Sequence, residues 1–427
     1  MRVLVDVTFT RRQTQAIGIT RVVRRLFESL KVQLEPSGGK CLAVTYHPRG
    51  YRLITGQRIS RATSATEPVG NSSVAPSLPT MRSLNLFSLL RDVVAFALKV
   101  LPWSLLAGPW ILASNALEAF RSKDDLPLQF NAGDILLVAD VAWGYASWRA
   151  AAAAKTQGAK VIVVVYDLMP IRQPQYCYAL VPKVYDMWLR RMAILSDRMM
   201  CISKATNDDV LAWMREVGLP LELEQKVSSF CLGSDFQGFS GSGEVRSAIS
   251  NHFTAGEPCF GMIGTFEPKK NYELVWQVFC NLWTSGERVR LMVLGRRTEE
   301  MDSFIETMKS DPKSQGRLLL VHDASDAEVG YVYSQARALI MASKFEGYGL
   351  PLIEARARGC PVIASNIPSF VELKDDGVWL FDLRVPEQLE SIVLEHSAGD
   401  QRGMVGSAKV PSWRDSAKAI LDLAETN

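Results

Sequence analysis

The sequence is poor in groups that hold metals or crosslink a small scaffold. Its four histidines, His47, His252, His322 and His396, lack a partner at metal-ligand spacing. No two aspartates stand one residue apart, so an Asp-x-Asp metal clamp is missing. The seven cysteines are scattered from Cys41 to Cys360 without a Cys-x-x-Cys pair. That pattern argues against both a zinc ribbon and a disulfide framework and suits a reducing cytoplasm. Charge is nearly balanced at a formal +3, so nothing demands nucleic acid as a partner. A slight cationic excess still suits a phosphate-bearing substrate or an anionic membrane surface. Met1–Val7 runs straight into a strand-like pattern, so no secretory leader is expected. An uncharged stretch of eighteen residues, Val100–Leu117, is broken by Pro102, Gly108 and Pro109. Against the roughly 20 apolar residues that a spanning helix needs, it is short and discontinuous.

What is present is ordinary for a globular chain, with 48% hydrophobic and 22% charged residues. At 427 residues, two domains of similar size are expected. Short apolar runs recur, each followed by a helix-like stretch. In the first half they are Val3–Val7, Cys41–Tyr46, Ile135–Val138, Val161–Tyr166 and Met199–Ile202. In the second half they are Phe260–Ile263, Arg290–Leu294, Leu318–Val321, Ala338–Met341 and Pro361–Ala364. Such alternation predicts βαβ units and parallel sheets. Gln237–Gly243 has the composition of a linker. The expected division is therefore residues 1–238, with a terminal helix (411–427) packing back on them, and residues 255–395.

Residues 56–80, rich in Ser, Thr, Pro and Gly, read as a surface loop. Residues 84–120 carry Leu86, Phe87, Leu105, Trp110 and other large apolar side chains beside Arg82, Arg91 and Lys99. Such a segment either completes the core or inserts at a bilayer surface as a peripheral contact.

The most informative stretch is Ser343–Glu354. A strand ends there, a glycine-containing turn follows, and Pro351 suits the first position of a helix ending near Gly359. Gly347, Tyr348, Gly349 and Leu350 then lie at a helix N-terminus, where free N–H groups and the dipole favour a diphosphate. Glu354 is expected in the first helical turn and Glu346 on the strand-end loop, where carboxylates suit sugar hydroxyls. Read alone, a Gly-x-Gly loop is equally a solvated turn with a helix start.

Its surroundings make it specific. The segment Phe345–Ala355 resembles the Glu-x7-Glu element of glycosyltransferase family 4, and the likeness continues through Gly359–Ser365 to Glu372. Gly264–Asn271 is similar to that family's Gly-Thr-x-Glu-Pro-Arg-Lys-Asn loop, and Leu294-Gly295, Asp326 and Trp413 fall in familiar places. The resemblance implies an α/β protein of the GT-B class, with two Rossmann-like domains and parallel sheets facing across an interdomain cleft. It implies a retaining transferase that uses a nucleotide-diphosphate sugar and no metal cofactor. Glu354 would bind the donor ribose and Glu346 the transferred sugar. Lys270, with Lys269, would neutralise the diphosphate beside Thr265. Some relatives carry arginine where Thr265 stands, which leaves Arg296, Arg297 or Lys204 to compensate.

Gly18-Ile19-Thr20-Arg21 resembles a segment of a polysaccharide-assembly branch and is the candidate acceptor or phosphate loop. Its plain alternative is a helix cap with Arg21 and Arg24 on the wet face. Asp167 ends a buried strand on the ligand side of a parallel sheet and is the candidate contact to sugar or acceptor hydroxyl. The branch likeness leans toward GDP-mannose as donor and a glycan or polyprenyl-diphosphate-linked acceptor. The expected setting is surface-polysaccharide assembly, in the cytoplasm or peripheral on the membrane's inner face. A GT-B phosphorylase or a nucleotide-sugar epimerase remains the competing reading.

Overall fold

The computed structural model describes residues 1–13, 18–55, 125–141, 143–234, 243–254, 256–399, 402, 408 and 410–425. The expected loop at 56–80, the apolar segment 84–120 and all of the expected linker except Gly243 lie outside the described residues. Chain contacts divide the protein into two compact units. The first comprises Met1–Cys201, Val210–Ser228 and Ala417–Asn427; the second comprises Ile202–Asp209 and Ser229–Ser416.

The first unit is built on an eight-stranded sheet. Its strands are β1 (Arg2–Asp6), β2 (Lys40–His47), β3 (Gly50–Leu53), β4 (Leu126–Pro127), β5 (Ile135–Val138), β6 (Lys160–Val165), β7 (Arg198–Cys201) and β8 (Val227–Ser229). The spatial order is β4-β3-β2-β1-β5-β6-β7-β8. Strands β2, β1, β5, β6 and β7 pair in parallel, while β3 pairs antiparallel with both β2 and β4. The helices described in this half are α1 (Ile19–Leu34), α2 (Tyr145–Thr156), α3 (Met169–Arg172), α4 (Val181–Leu195) and α5 (Lys204–Glu216).

Helix α1 buries Val22, Val23, Leu26, Phe27, Leu30 and Leu34, the stripe that a 3.6-residue period places on one face. Arg24 is a correction to the wet-face alternative: it is only 4% exposed, and its Nη2 donates to the Gln13 carbonyl at 2.7 Å. The guanidinium thus ties α1 to Gln13, at the end of the Thr10–Arg12 turn.

The second unit carries a six-stranded sheet in the order β11-β10-β9-β12-β13-β14. Its strands are β9 (Cys259–Ile263), β10 (Arg290–Leu294), β11 (Leu318–Val321), β12 (Leu339–Met341), β13 (Val362–Ser365) and β14 (Val378–Phe381). All its strand pairs are parallel. The helices that follow α5 are α6 (Ser247–Thr254), α7 (Tyr272–Thr284), α8 (Asp302–Ser310), α9 (Asp326–Gln335), α10 (Leu350–Ala357), α11 (Pro368–Glu372), α12 (Pro386–Ala398) and α13 (Trp413–Glu425). Phe260, Phe279, Leu282, Leu291, Ile340, Ile363 and Phe381 form the core of this unit.

All ten apolar runs read from the sequence are strands. The structure adds β3, β4, β8 and β14, each two to four residues long, where pairing rather than pattern decides. Among the described residues no helix is long and apolar enough to cross a membrane.

The chain passes between the two units more than once. Ile202–Asp209 is held in the second unit by the Glu372 carboxylate, which accepts from the Lys204 and Ala205 amides at 2.8 Å each. An acid at the start of α5 meets the unsatisfied N–H groups and the positive dipole end there. Trp413–Ser416 likewise lie in the second unit, where Ser416 Oγ donates to the Cys231 carbonyl at 2.8 Å.

Candidate active site

The order of the second sheet locates the site. From β9 the chain moves outward through β10 and β11, then returns to place β12 on the other side of β9. The β9/β12 junction is therefore a topological switch point, where the loops leaving two adjacent strands diverge and open a crevice. The loop after β9 is Gly264–Asn271, and the loop after β12 is Ala342–Gly349. They are tied directly, since the Lys344 amide donates to the Lys269 carbonyl at 2.8 Å.

The first loop is shaped by sterics and strain. Gly264 donates to the Leu294 carbonyl at 2.9 Å, and its own carbonyl accepts from the Tyr272 hydroxyl at 2.7 Å. Phe266, fully buried, stacks on Tyr272 with ring centroids 4.4 Å apart and supports the loop from below. Pro268–Lys270 form one tight turn, ended by Asn271 at φ 58°, the one non-glycine with positive φ among the described residues. Asparagine tolerates this left-handed state better than most residues, and the turn presents Lys269 and Lys270 together. Lys269 stands 3.6 Å from Glu267. Thr265 is half-buried on the same loop.

The second loop carries Glu346. Its Oε1 accepts from Lys270 Nζ and from Ser343 Oγ, the latter at 2.7 Å. Ser343 is fixed in turn, its carbonyl accepting from Ser365 Oγ at 2.6 Å. Burial pushes the Glu346 carboxyl up, but the charges of Lys270 and Lys269 and the two hydrogen bonds outweigh it and leave its pKa below the ordinary value. Glu346 thus stays ionised among lysines.

Gly347 and Gly349 lead into α10. The Gly347 carbonyl accepts from Ser203 Oγ at 2.6 Å and Thr206 Oγ1 at 3.1 Å, all within the second unit. Tyr348 is buried, and its hydroxyl donates to the Leu232 carbonyl at 3.3 Å. Gly349 caps α10 at φ 113°, and a Cβ there would stand 2.7 Å from Phe370 Cε1. Only glycine fits that backbone and that gap. Leu350 is the first helical residue, with Pro351 next.

Glu354 is therefore the fifth residue of α10, beyond the first turn in which the sequence reading put it. It is 4% exposed, and its Oε2 accepts from the Tyr333 hydroxyl at 2.8 Å. The two glutamates, eight positions apart, sit in different surroundings: Glu346 is salt-bridged by lysine, Glu354 is met by a phenol.

Of the cations considered as substitutes for an arginine at Thr265, Arg297 pairs with Asp302 at 2.9 Å and Lys204 with Asp208 at 2.5 Å. Arg296 is exposed and forms no ion pair with a described residue.

On the first unit's sheet the switch point lies between β1 and β5, the strands that Gly18 and Asp140 follow, while Asp167 leaves the next strand, β6. Gly18 is exposed at φ 53° and caps α1, followed by the half-buried Ile19 and Arg21. Asp167 follows β6. Its Oδ1 accepts from the Met169 amide at 2.9 Å, and its carbonyl accepts from the Tyr185 hydroxyl at 2.6 Å. Asp140, after β5, accepts from the amides of Phe9 and Thr10 at 2.6 and 2.8 Å and so pins the turn that follows β1.

Sequence reading singled out neither Asp140 nor Tyr333, Ser203 and Thr206. Their partners lie 21 to 144 residues away, where no local pattern reports them. Among the described residues no three His, Cys, Asp or Glu side chains are grouped to hold a metal ion.

Residues 247–396 match the family described as Glycosyl transferases group 1. The serotype-specific mannosyltransferase WbdA of Escherichia coli is 31% identical over 314 residues, 70% of this chain and 38% of that protein. The O-antigen chain mannosyltransferase RfbU of Salmonella typhimurium is 27% identical over 215 residues, 50% of this chain and 54% of that protein. The chain spans less than two fifths of the length of the WbdA proteins it matches.

Among solved structures, a trehalose 6-phosphate synthase from Burkholderia multivorans superposes with a TM-score of 0.60 at 13% identity, covering 99% of this chain and 96% of that one. Anabaena HepE in complex with UDP and glucose gives a TM-score of 0.58 at 13% identity, covering 98% and 94%. At such identities the likeness speaks to the fold. The chain thus has the GT-B fold, and its residues 247–396 carry the match to the group 1 glycosyl transferases.

Proposed function

We propose that the chain is a retaining glycosyltransferase that takes a sugar from a nucleotide-diphosphate donor, GDP-mannose being favoured, in bacterial surface-polysaccharide assembly. The acceptor is a glycan or a polyprenyl-diphosphate-linked oligosaccharide, and the reaction belongs on the cytoplasmic side of the membrane, with residues 84–120 as a peripheral contact. The observation that carries this reading is the pair of loops at the β9/β12 switch point. They set Lys269 and Lys270 against Glu346 at the glycine-capped start of α10.

In this reading Lys270, Lys269 and the N–H groups opening α10, including those of Gly349 and Leu350, take the diphosphate, with Thr265 beside them. Charge grows on the leaving diphosphate as the glycosidic bond breaks, and fixed cations act most strongly at that moment. Glu346 accepts from hydroxyls of the transferred sugar and Glu354 from those of the ribose. The acceptor hydroxyl attacks from the face of the departing diphosphate and gives up its proton toward it, which retains the anomeric configuration. Gly18, Ile19, Arg21 and Asp167 are the acceptor-side residues of the first unit. The mannosyltransferase names of the two bacterial relatives support mannose as the transferred sugar, and the O-antigen name of the second supports the setting.

A thermal-shift screen of the full chain with GDP-mannose, UDP-glucose and UDP-N-acetylglucosamine tests the donor, followed by a transfer assay with and without EDTA. GDP-mannose should stabilise most, transfer should require an acceptor, and chelation should leave the rate unchanged. Sugar transfer to inorganic phosphate, or isomerisation of the donor without acceptor, would replace this function by a phosphorylase or an epimerase. Loss of activity on chelation, restored by manganese or magnesium, would overturn the metal-free mechanism.

A further inference from the structure

Glu354 is held by a residue that neither the motif nor the reaction singles out. Tyr333 lies on α9 and is completely buried, and its hydroxyl donates to Glu354 Oε2 at 2.8 Å. The contact depends on how closely α9 lies on the sheet. A Cβ at Gly261, in β9, would stand 3.0 Å from Val332 Cγ1 and 3.6 Å from Ala336 Cβ. Glycine there lets α9 settle directly over the strand at the switch point, which brings the residue after Val332 within reach of α10. The Arg402 guanidinium donates to the Tyr333 carbonyl, so the far end of α9 is tied down as well.

A glutamate carboxylate turns readily about its last torsion, which is broad rather than staggered. Helical side chains also lean toward the N-terminus of their helix, which here is the Gly349 end. A phenol on one oxygen therefore fixes the plane of the carboxylate and turns its remaining lone pairs in a set direction. A vicinal diol needs such a fixed acceptor, because both of its hydroxyls must find lone pairs at once.

We propose that Tyr333 is a positioning residue for ribose recognition: its hydroxyl orients the Glu354 carboxylate so that it accepts from the 2′- and 3′-hydroxyls of the donor nucleotide. This rests on the donor reading above and extends it to the basis of selection between ribonucleotides and deoxyribonucleotides. Tyr333 touches no substrate; it acts through Glu354.

The test is calorimetric titration of GDP and 2′-deoxy-GDP, and of UDP and 2′-deoxy-UDP, into the full chain and its Tyr333→Phe and Glu354→Gln variants. Wild type should prefer the better-bound ribonucleotide over its deoxy form by about tenfold, the worth of one hydrogen bond to a charged group. Tyr333→Phe keeps the ring and should weaken the ribonucleotide about fivefold while leaving the deoxynucleotide within twofold, so the preference collapses. In turnover the same variant should raise the donor KM with little change in kcat, the signature of binding lost equally in ground and transition states.

A merely structural role would weaken both nucleotides alike, and that result overturns the proposal. An unchanged ribo-to-deoxy ratio in Tyr333→Phe overturns it too, while the donor reading stands. Glu354→Gln keeps an acceptor for the Tyr333 hydroxyl and should also lose the preference; if it does not, Glu354 is not the ribose acceptor. If wild type binds no nucleotide at all, the donor reading fails and this inference with it.

Discussion

Replacing Lys270 by methionine keeps the length of the side chain and removes its charge, and the consequences can be worked from its surroundings. Lys270 and Glu346 are only 16% and 14% exposed, and the charge of the lysine is the strongest influence holding the glutamate ionised against burial. Wild-type Glu346 has a folded pKa below its unfolded value, so it contributes stability that is present above about pH 4.5 and lost as pH falls through the folded pKa. Without Lys270 the burial remains and most of the compensation goes. The folded pKa then rises, the sign reverses, and Glu346 costs stability at neutral pH that is regained toward pH 4.

Breaking a fully buried pair costs about 3–5 kcal/mol. Partial exposure and the remaining bond from Ser343 reduce this to about 2 kcal/mol, comparable to one charge-assisted hydrogen bond. For a unit of this size that is a drop of roughly 4–8 °C in Tm. The double variant Lys270→Met/Glu346→Gln removes the stranded charge and should recover most of the loss. Turnover should not recover in either variant, because a cation aimed at a leaving group contributes about 10²–10³ in kcat. Urea denaturation at pH 7.5 and 4.5, with transfer assays alongside, checks both halves. Equal stability of Lys270→Met and wild type at both pH values, or additive losses in the double variant, would refute the reasoning.

Two further substitutions probe the frame around the site. Gly295→Ala would place a Cβ 1.7 Å from the Gly264 carbonyl oxygen, which Tyr272 and the Leu294 strand end hold in place. Backbone cannot yield to that degree, so a loss above about 3 kcal/mol is expected, and a wild-type melting curve by circular dichroism would contradict it. Asp6 is fully buried; burial first, and then the charge of Asp140, lift its pKa from the ordinary 3.8 to about 7. It therefore binds a proton on folding, and its contribution is present below about pH 4 and lost as pH rises through 7, on the order of 4 kcal/mol. Asp6→Asn can still accept from Thr8, and its amide can donate to the Tyr51 hydroxyl, so denaturation midpoints of this variant should flatten between pH 4.5 and 7.5. A slope as steep as that of wild type would sink the assignment.

What the sequence determined by itself was whatever neighbours in the chain decide. The alternation of β-branched runs with helices gave ten strands and the two-sheet α/β plan, because period and composition act within a dozen residues. The turn before α10 was equally legible, since Gly349 and Pro351 mark that boundary by backbone geometry alone. The tight turn carrying Lys269 and Lys270 declared itself through Pro268 and Asn271.

The tertiary structure decided what those pieces face. Only the order β10-β9-β12 sets the lysine turn beside Glu346, and strand order follows from covering both faces of a sheet, a long-range condition. The same condition buried Arg24, which the plain helix-cap alternative put on the wet face. It also put Tyr333 against Glu354, because the cost of an unpaired carboxylate in the interior is met by whichever donor the packing of α9 brings near. The short strands β3, β4, β8 and β14 belong to this class as well. Each is too short to carry a pattern of its own, and each exists because a neighbour supplies the other half of its hydrogen bonds.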